Sequence, residues 1–574
     1  MEHTDRSPAS RPWIGQYGDH VQEVLEPPSY RCLPERMVEA AKRFGEQPAF
    51  TTVMPNGMYG TLTYAEVDAK SDDFAYYLRE VLGLEAGDRV ALQMPNCLSY
   101  PVCMLGVLKA GCVVVNTNPL YTPEEMEHQF CDSGARALVV VDLFADKVEE
   151  IIDETPVEHV IGMKVPEFFP PVVKQITYWV MKYWNRMIPT HGVEMTPLPV
   201  ALAEGAEARG EESAEALWGE CTKDDLALLQ YTGGTTGVAK GAMLTHGNLL
   251  WNLAQVRAMT SSHLSDGEEV VLTALPLYHI FACTVNFMTM YLAGAQNILV
   301  PSPRPIQKVQ RAIENYDITW LTGVNTLYNA LLNEEWFIAF PPDQIKAAVG
   351  GGAAMHHAVV EAWEEMVGAP LVEGYGLTEA SPGVCFQPLE GERERNTIGI
   401  PVPMTDIKLI DEEGQQVGVG EAGELCVKGP QVMQGYWNKP EETENTLIDG
   451  WLHTGDVAEM DERGTFRIVD RKKDMILVSG FNVYPNEIED VLARHPKVME
   501  AAVIGVPSEK SGEEVRAFVV KREESVTAEQ LMAHCKEALT GYKRPRSIEF
   551  REELPKTAVG KILRRELRDE VLGG

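Results

Sequence analysis

The stretch from Gly87 to Val141 constrains the fold most, because apolar runs of strand length alternate there with segments of helical spacing. Arg89-Val90-Ala91-Leu92-Gln93 reads as a short apolar strand opened by Gly87-Asp88. Cys97 to Ala110 carries helical spacing and stops at Gly111, and Val113-Val114-Val115 follows as a buried strand. Pro123-Glu124-Glu125 opens another helix, with proline in the first turn and acids near the positive end of the dipole. Ala137 to Val141 is the next strand. This rhythm predicts a layered, largely parallel α/β sheet, and a second series of the same kind runs from about Asp224 to Gly376.

A chain of 574 residues exceeds what one hydrophobic core organises, so two or more domains are expected. After Ile398 the texture changes to short strands with turns such as Asp411-Glu412-Glu413-Gly414, which predicts a small β subdomain over about 398–470. From Arg471 onward, strands and two helices read as a compact α+β unit. The expected division is a large N-terminal domain, 1–470, and a small C-terminal domain, 471–574.

Hydrophobic residues at 45% and charged residues at 24% describe an ordinary soluble globular protein. No uninterrupted apolar run reaches the roughly 18 residues of a membrane span. Met1 to Arg11 is polar and does not read as a secretory signal. Ten cysteines without a CxxC pair or a zinc spacing read as reduced cytosolic thiols, and a cytoplasmic location is expected. A formal net charge of −35 argues against non-specific nucleic-acid binding, and any bound polyphosphate must meet a local positive patch.

Between Phe168 and Pro189, apolar Val172, Val173, Ile176, Trp179, Val180, Tyr183, Trp184 and Met187 fall on one predicted helical face. Lys174, Lys182 and Arg186 sit among the polar positions. A basic amphipathic helix rich in Trp and Tyr is the signature of an interfacial membrane anchor. The alternative is an ordinary surface helix packed on the domain or on a partner subunit, such as a second copy in a homodimer. Both readings stay open.

Tyr231-Thr232-Gly233-Gly234-Thr235-Thr236-Gly237-Val238-Ala239-Lys240-Gly241 follows the apolar run Leu226 to Leu229. Closely spaced glycines and threonines let backbone N–H groups converge on a polyphosphate, supplemented by hydroxyls and one lysine. Val238 and Ala239 separate Gly237 from Lys240, so this is not a P-loop of the GxxxxGK[ST] kind. The loop resembles the signature of the adenylate-forming enzymes: acyl-CoA synthetases, firefly-type luciferases and peptide-synthetase adenylation domains. Further motifs follow in the family's order, and the resemblance covers about Arg31 to Leu572.

Val372-Glu373-Gly374-Tyr375-Gly376-Leu377-Thr378-Glu379 matches the family's adenine and metal segment. Tyr375 offers a flat face for a purine between Gly374 and Gly376, and Glu379 a hard oxygen for Mg²⁺. The resemblance implies that Thr378 and Thr232 lie beside the phosphates, with Thr232 near the metal. His453-Thr454-Gly455-Asp456 resembles the ribose site, where the Asp456 carboxylate accepts from both hydroxyls. Arg471 adds a cationic contact, and the resemblance puts the hinge of the C-terminal domain close to Lys473. In Pro555-Lys556-Thr557-Ala558-Val559-Gly560-Lys561, the family places its adenylation lysine at Lys561. A preorganised ammonium there stabilises charge building at the α-phosphorus.

The family's small domain swings after adenylation, presenting the face around Ser479-Gly480-Phe481-Asn482 to the pantetheine of coenzyme A. From Lys543 to Arg565 eight basic residues stand against three acids. That patch reads either as a seat for the nucleotide of coenzyme A or as a solvated face. Leu275-Pro276-Leu277-Tyr278-His279-Ile280-Phe281 and Val349-Gly350-Gly351-Gly352-Ala353-Ala354 match segments that line the acyl pocket. Ile280, Phe281 and Phe287 are the expected apolar wall. His279 is either near the reacting carboxylate or a hydrogen-bonded core histidine.

Tyr231 to His246, Ala274 to Ala282, Phe466 to Glu489 and Gly560 to Arg568 resemble bacterial long-chain fatty acyl-CoA ligases in particular. The resemblance implies ATP, Mg²⁺ and coenzyme A as cofactors and a fatty acid as substrate; the membrane reading of the 168–189 helix would add a peripheral place on the inner face of the cell membrane. Ligation of medium-chain or aromatic acids, loading of a carrier protein, and an inactive lipid-binding scaffold are the alternatives.

Overall fold

The computed structural model describes residues 11–232, 239–391, 393–479, 481–508, 510–557 and 560–573. Two large sheets organise the N-terminal two-thirds. One has seven strands in the order Thr196–Pro197, His159–Met163, Ala135–Val141, Arg89–Gln93, Val113–Thr117, Leu226–Thr232 and Lys240–Thr245, all parallel except the last pair. The predicted strand–helix rhythm from Gly87 is therefore present, with helices over Ser99–Lys109 and Pro123–Ser133. Thr122 and Glu125 close a capping box ahead of Pro123, which satisfies backbone donors that the first turn leaves over.

The second sheet has nine strands. Its middle is parallel, from Leu371–Gly376 through Ala347–Gly351, Trp320–Gly323, Val270–Thr273 and Gln296–Leu299 to Pro48–Val53, with antiparallel strands at both edges. The series expected from Asp224 is thus split. Its first two strands complete the seven-stranded sheet, and the rest belong to the nine-stranded one.

Helices fill the space between the sheets. Every residue of Ser99–Lys109 is buried, including Lys109, whose ammonium sits 2.6 Å from Asp68 and 2.5 Å from Asp72. A buried cation is tolerable when paired in this way.

A third, five-stranded sheet runs from Asp406–Ile410 to Phe466–Arg471, and a fourth from Ile476–Val478 to Ser547–Arg551. The strand Ile400–Pro401 pairs into the nine-stranded sheet, so the third sheet begins later than position 398. The last unit carries three helices and not the expected two: Pro485–Ala493, Ala528–Ala538 and Arg564–Leu572. Its own core gathers Ile476, Val483, Ile488, Val503 and Leu531.

The 168–189 segment forms an α-helix over Pro171–Trp179 that widens into a π-turn over Val180–Trp184. Thr177 and Met181 face the protein, while Val172, Ile176, Trp179, Tyr183, Trp184 and Met187 face outward, with Trp184 77% exposed. Among the described residues no helix is long and apolar enough to cross a membrane.

Candidate active site

The carboxyl ends of Leu226–Thr232, Ala347–Gly351 and Leu371–Gly376 open onto one cavity of about 1190 Å³, the usual place for ligands in parallel α/β sheets. The third sheet adds His453 to Asp456, and the C-terminal unit adds Gly560 to Arg565. The motifs that lie far apart in sequence therefore meet on one wall.

The Tyr375 hydroxyl donates to Asp456 Oδ2 at 2.6 Å, and Arg471 Nε lies 3.3 Å from Asp456 Oδ1. Asp456 and Arg471 are cross-strand partners, so sheet register fixes the pair. Burial and the Asp456 charge push the Tyr375 hydroxyl well above its ordinary pKa, keeping it a donor. A Cβ on Gly376 would stand 2.2 Å from the Pro382 carbonyl oxygen, so this glycine is required by the neighbouring chain as well as by any ligand. Gly374 lies against the Phe386 ring. Burial raises Glu373, two residues ahead of Tyr375, to about 8.

Thr232, Thr378 and Glu379 share the cavity wall. Tyr436 donates its hydroxyl to Glu379 Oε1 at 2.6 Å. Hard oxygens from a carboxylate and a hydroxyl beside a phosphate loop suit Mg²⁺, which takes few protein ligands plus phosphate and water. Among the described residues no group of three or more His, Cys, Asp or Glu gathers as a metal cage. Lys240 lines the same region, ion-paired with Glu442 and 5.2 Å from the Tyr436 ring centroid. Gly233, Gly234, Thr235, Thr236, Gly237 and Gly480 lie outside the described residues.

Lys561 is the cationic end of the site. Loss of hydration, reinforced by Arg471 and Arg564, lowers its pKa to about 7. His279 is lowered to about 4 by burial and then by Lys561, so the imidazole is neutral, and its Nδ1 accepts from the Phe281 N–H at 3.3 Å. His279 is thus both hydrogen-bonded and on the cavity wall. Lys473 is lowered to about 8, again by burial first and Arg471 second.

The cavity continues as an apolar reach past Ile280, Phe281, Val256, Met259, Leu264, Met290 and Trp320. Tyr278, Gly351, Gly352 and Ala353 border its mouth. Two expectations are corrected. Phe287 belongs to an aromatic cluster with Phe50, Tyr100 and Tyr291 in the core, because its helical turn faces away from the cavity. Gly350 is turned toward Met355, whose sulfur would lie 2.5 Å from an added Cβ. Tyr231 borders the cavity, but its ring packs on Gly241 and its hydroxyl donates to Asp132 at 2.7 Å.

Sequence reasoning missed Tyr436, Arg564 and the wall from Val256 to Leu264. Arg564 grips Glu489 with Nε and Nη2 (2.9 and 2.7 Å) and reaches Asp470 at 3.3 Å. Burial raises Asp470 to about 6 despite that arginine. Apolar spacing in the helix His246–Thr260 was the available signal for the wall.

Residues 37–437 match the family described as AMP-binding enzyme, and residues 487–561 match the AMP-binding enzyme C-terminal domain. The chain belongs to the AMP-binding enzyme family. Within this family it is 49% identical over 561 residues to a long-chain-fatty-acid–CoA ligase of Salmonella typhimurium, covering 98% of both chains. A ligase of the same name from Escherichia coli is 48% identical over 561 residues, again with 98% of each chain covered. Among solved structures, an anthranilate CoA ligase in complex with anthranoyl-AMP superposes with a TM-score of 0.83 at 25% identity, covering 95% of this chain and 98% of the other. With full-length likeness to these CoA ligases, the protein is an AMP-forming acid–thiol ligase that uses ATP and coenzyme A.

Proposed function

We propose that the protein couples long-chain fatty acids to coenzyme A through an acyl-adenylate, with the division into domains at Asp470-Arg471. The observation that carries this reading is one continuous cavity. Its lining combines polar Asp456, Glu379 and Lys561 with apolar Leu264, Met290 and Trp320. Burying each methylene of an alkyl chain there is worth about 0.8 kcal/mol, which favours long acids over short ones. Full-length similarity to long-chain ligases supports the same substrate class.

Tyr375 walls the purine, and the Asp456 carboxylate accepts from the ribose hydroxyls. Thr232, Lys240, Thr378 and the 233–237 loop hold the phosphates. Glu379 and Thr232 hold Mg²⁺, which supplies charge neutralisation at the phosphates when bound. The fatty carboxylate attacks the α-phosphorus, the bond to pyrophosphate breaks, and the Lys561 ammonium stabilises the charge that builds on the phosphoryl oxygens. The polyanion itself raises the lysine from its depressed pKa, so the ammonium is present when needed. Neutral His279 adds no charge beside the incoming carboxylate. Lys561 then withdraws about the Arg471–Lys473 hinge, the Gly480 face admits the thiol, and the thiolate displaces AMP at the acyl carbon.

The outward face of the 171–184 helix supports a peripheral seat on the inner membrane surface, where the substrate dissolves. Lys174 is ion-paired with Glu167, which leaves Lys182 and Arg186 to meet lipid phosphates. The deciding experiment is AMP release with ATP, Mg²⁺, coenzyme A and acids from acetate to oleate, with benzoate as control. Turnover rising with chain length and dependent on coenzyme A is expected. A preference for benzoate or short acids would overturn the long-chain assignment and leave the adenylation chemistry standing.

A further inference from the structure

The C-terminal unit sits with Lys561 inside the cavity, and apart from contacts to the segments beside the Asp470-Arg471 boundary (Arg564 and Asn486 with Asp470, Arg471 with Asp456, Lys472 with Glu424) few polar contacts hold it there. The helix Asn325–Leu331 follows directly on the nine-stranded sheet's Trp320–Gly323 strand and supplies most of them. Its first turn meets the lysine loop: a Cβ on Gly560 would lie 2.8 Å from Thr326 Oγ1, and Gly560 has φ +94, so only glycine fits. Three residues on, and so on the same helical face, is Asn329. It is 6% exposed. Its Nδ2 donates to the Met499 carbonyl at 3.2 Å, and its Oδ1 accepts from Arg522 Nη2 at 3.4 Å. Asn333 braces it from behind, donating to the Asn329 carbonyl at 2.6 Å.

The two partners frame the long hairpin of the C-terminal sheet. Met499 lies in Val498–Ser508 and Arg522 follows Gly512–Lys521. Immediately after Met499, Glu500 accepts from Lys556 Nζ at 2.7 Å. Lys556 bridges to Ile562 across the foot of the loop that carries Lys561, where Thr557 N–H donates to the Lys561 carbonyl at 2.8 Å. An unbroken path of contacts therefore runs from Asn329, through Met499, Glu500 and Lys556, to Lys561. Arg304 Nη1, 3.5 Å from the Thr557 carbonyl, is the one side chain of the large unit with a hydrogen bond to that loop among the described residues.

We propose that Asn329 is a positioning residue for the first half-reaction: a latch that holds the small domain in its lysine-in arrangement and must release it before acyl transfer. Asparagine suits the task. It donates and accepts at once without charge, so the buried Asn329 closes on partners at the surface and opens without stranding an ion. The inference rests on the two-step reading above, and its structural part is measurable without any substrate.

The test compares wild type with Asn329→Ala and Arg522→Ala. In the variants adenylate formation, followed by ATP–pyrophosphate exchange, should fall about ten-fold, as expected for losing one or two interfacial hydrogen bonds. Transfer from supplied acyl-adenylate to coenzyme A should be unchanged or faster. The double variant should be little worse than either single one, because both cut the same latch. Amide exchange in peptides carrying Lys561 should speed up severalfold, with the nine-stranded sheet unaffected. Equal loss in both half-reactions, or unchanged exchange around Lys561, would overturn the latch. A wild type inactive on fatty acids would instead count against the substrate assignment, and the exchange measurement would still decide the latch.

Discussion

At the residue scale, Lys561 is the lysine displaced furthest from its ordinary range, lowered to about 7 by lost hydration and two guanidinium neighbours. A lysine with a lowered pKa is unprotonated, and nucleophilic, at a pH where ordinary lysines near 10.4 are not. An amine-acylating reagent near pH 7.5 should therefore modify Lys561 first among the lysines, as read by peptide mass spectrometry. The labelling rate should climb through about pH 7, ATP with Mg²⁺ should protect, and adenylate formation should fall in step. Labelling no faster than at exposed Lys182 would contradict this environment. The motifs that carry Lys561, Asp456 and Glu379 could be read along the sequence, and the fold brings all three to one cavity. Tyr436 and Arg564 were not, since each is defined by partners many residues away: Glu379 for one, Glu489 and Asp470 for the other.

At the scale of elements, strand and helix positions from Arg89 to Val141 could be read almost to the residue, because buried parallel strands are continuous apolar runs. Sheet membership could not, since the hairpin Leu226–Thr232 with Lys240–Thr245 closes one sheet and the chain then crosses to the other. Nor could the direction faced by the 171–184 segment, since apolar residues from Val172 to Met187 stand in water on both sides of the π-turn that begins at Val180. Trp179→Ser with Trp184→Ser removes apolar surface that is already in water, so thermal stability should hold within about 0.5 kcal/mol. Flotation with vesicles containing anionic lipid should drop severalfold, and Lys182→Glu with Arg186→Glu should add to the loss. Undiminished flotation would remove the helix from membrane contact. Loss of a dimer in sedimentation would assign the face to a second copy.

For the whole molecule, a net charge of −35 is the dominant long-range term. Like charges held in a compact volume repel, and added salt screens that repulsion over a Debye length that falls to about 3 Å at 1 M. The melting temperature should rise by several degrees between about 0.05 and 0.5 M sodium chloride. A flat or falling curve would mean that local ion pairs such as Arg564–Glu489 outweigh the global field. That the chain has a large N-terminal part and a small C-terminal part was legible from its length and its change of texture. The arrangement of the parts was not, because contacts such as those of Asn329 with Met499 and Arg522 join residues far apart in sequence that carry no local pattern.

Asp456 has both carboxylate oxygens engaged, one by Tyr375 and one by Arg471. A sugar hydroxyl that comes to this carboxylate arrives as a rival to a residue at the pivot. In the proposed rotation about Arg471–Lys473, the free energy that couples this hydroxyl to loosening of Arg471 would reappear, with the same size, as a change in nucleotide affinity on turning of the small domain. Occupancy and rotation are two readings of a single thermodynamic cycle, closed at one pair of cross-strand neighbours.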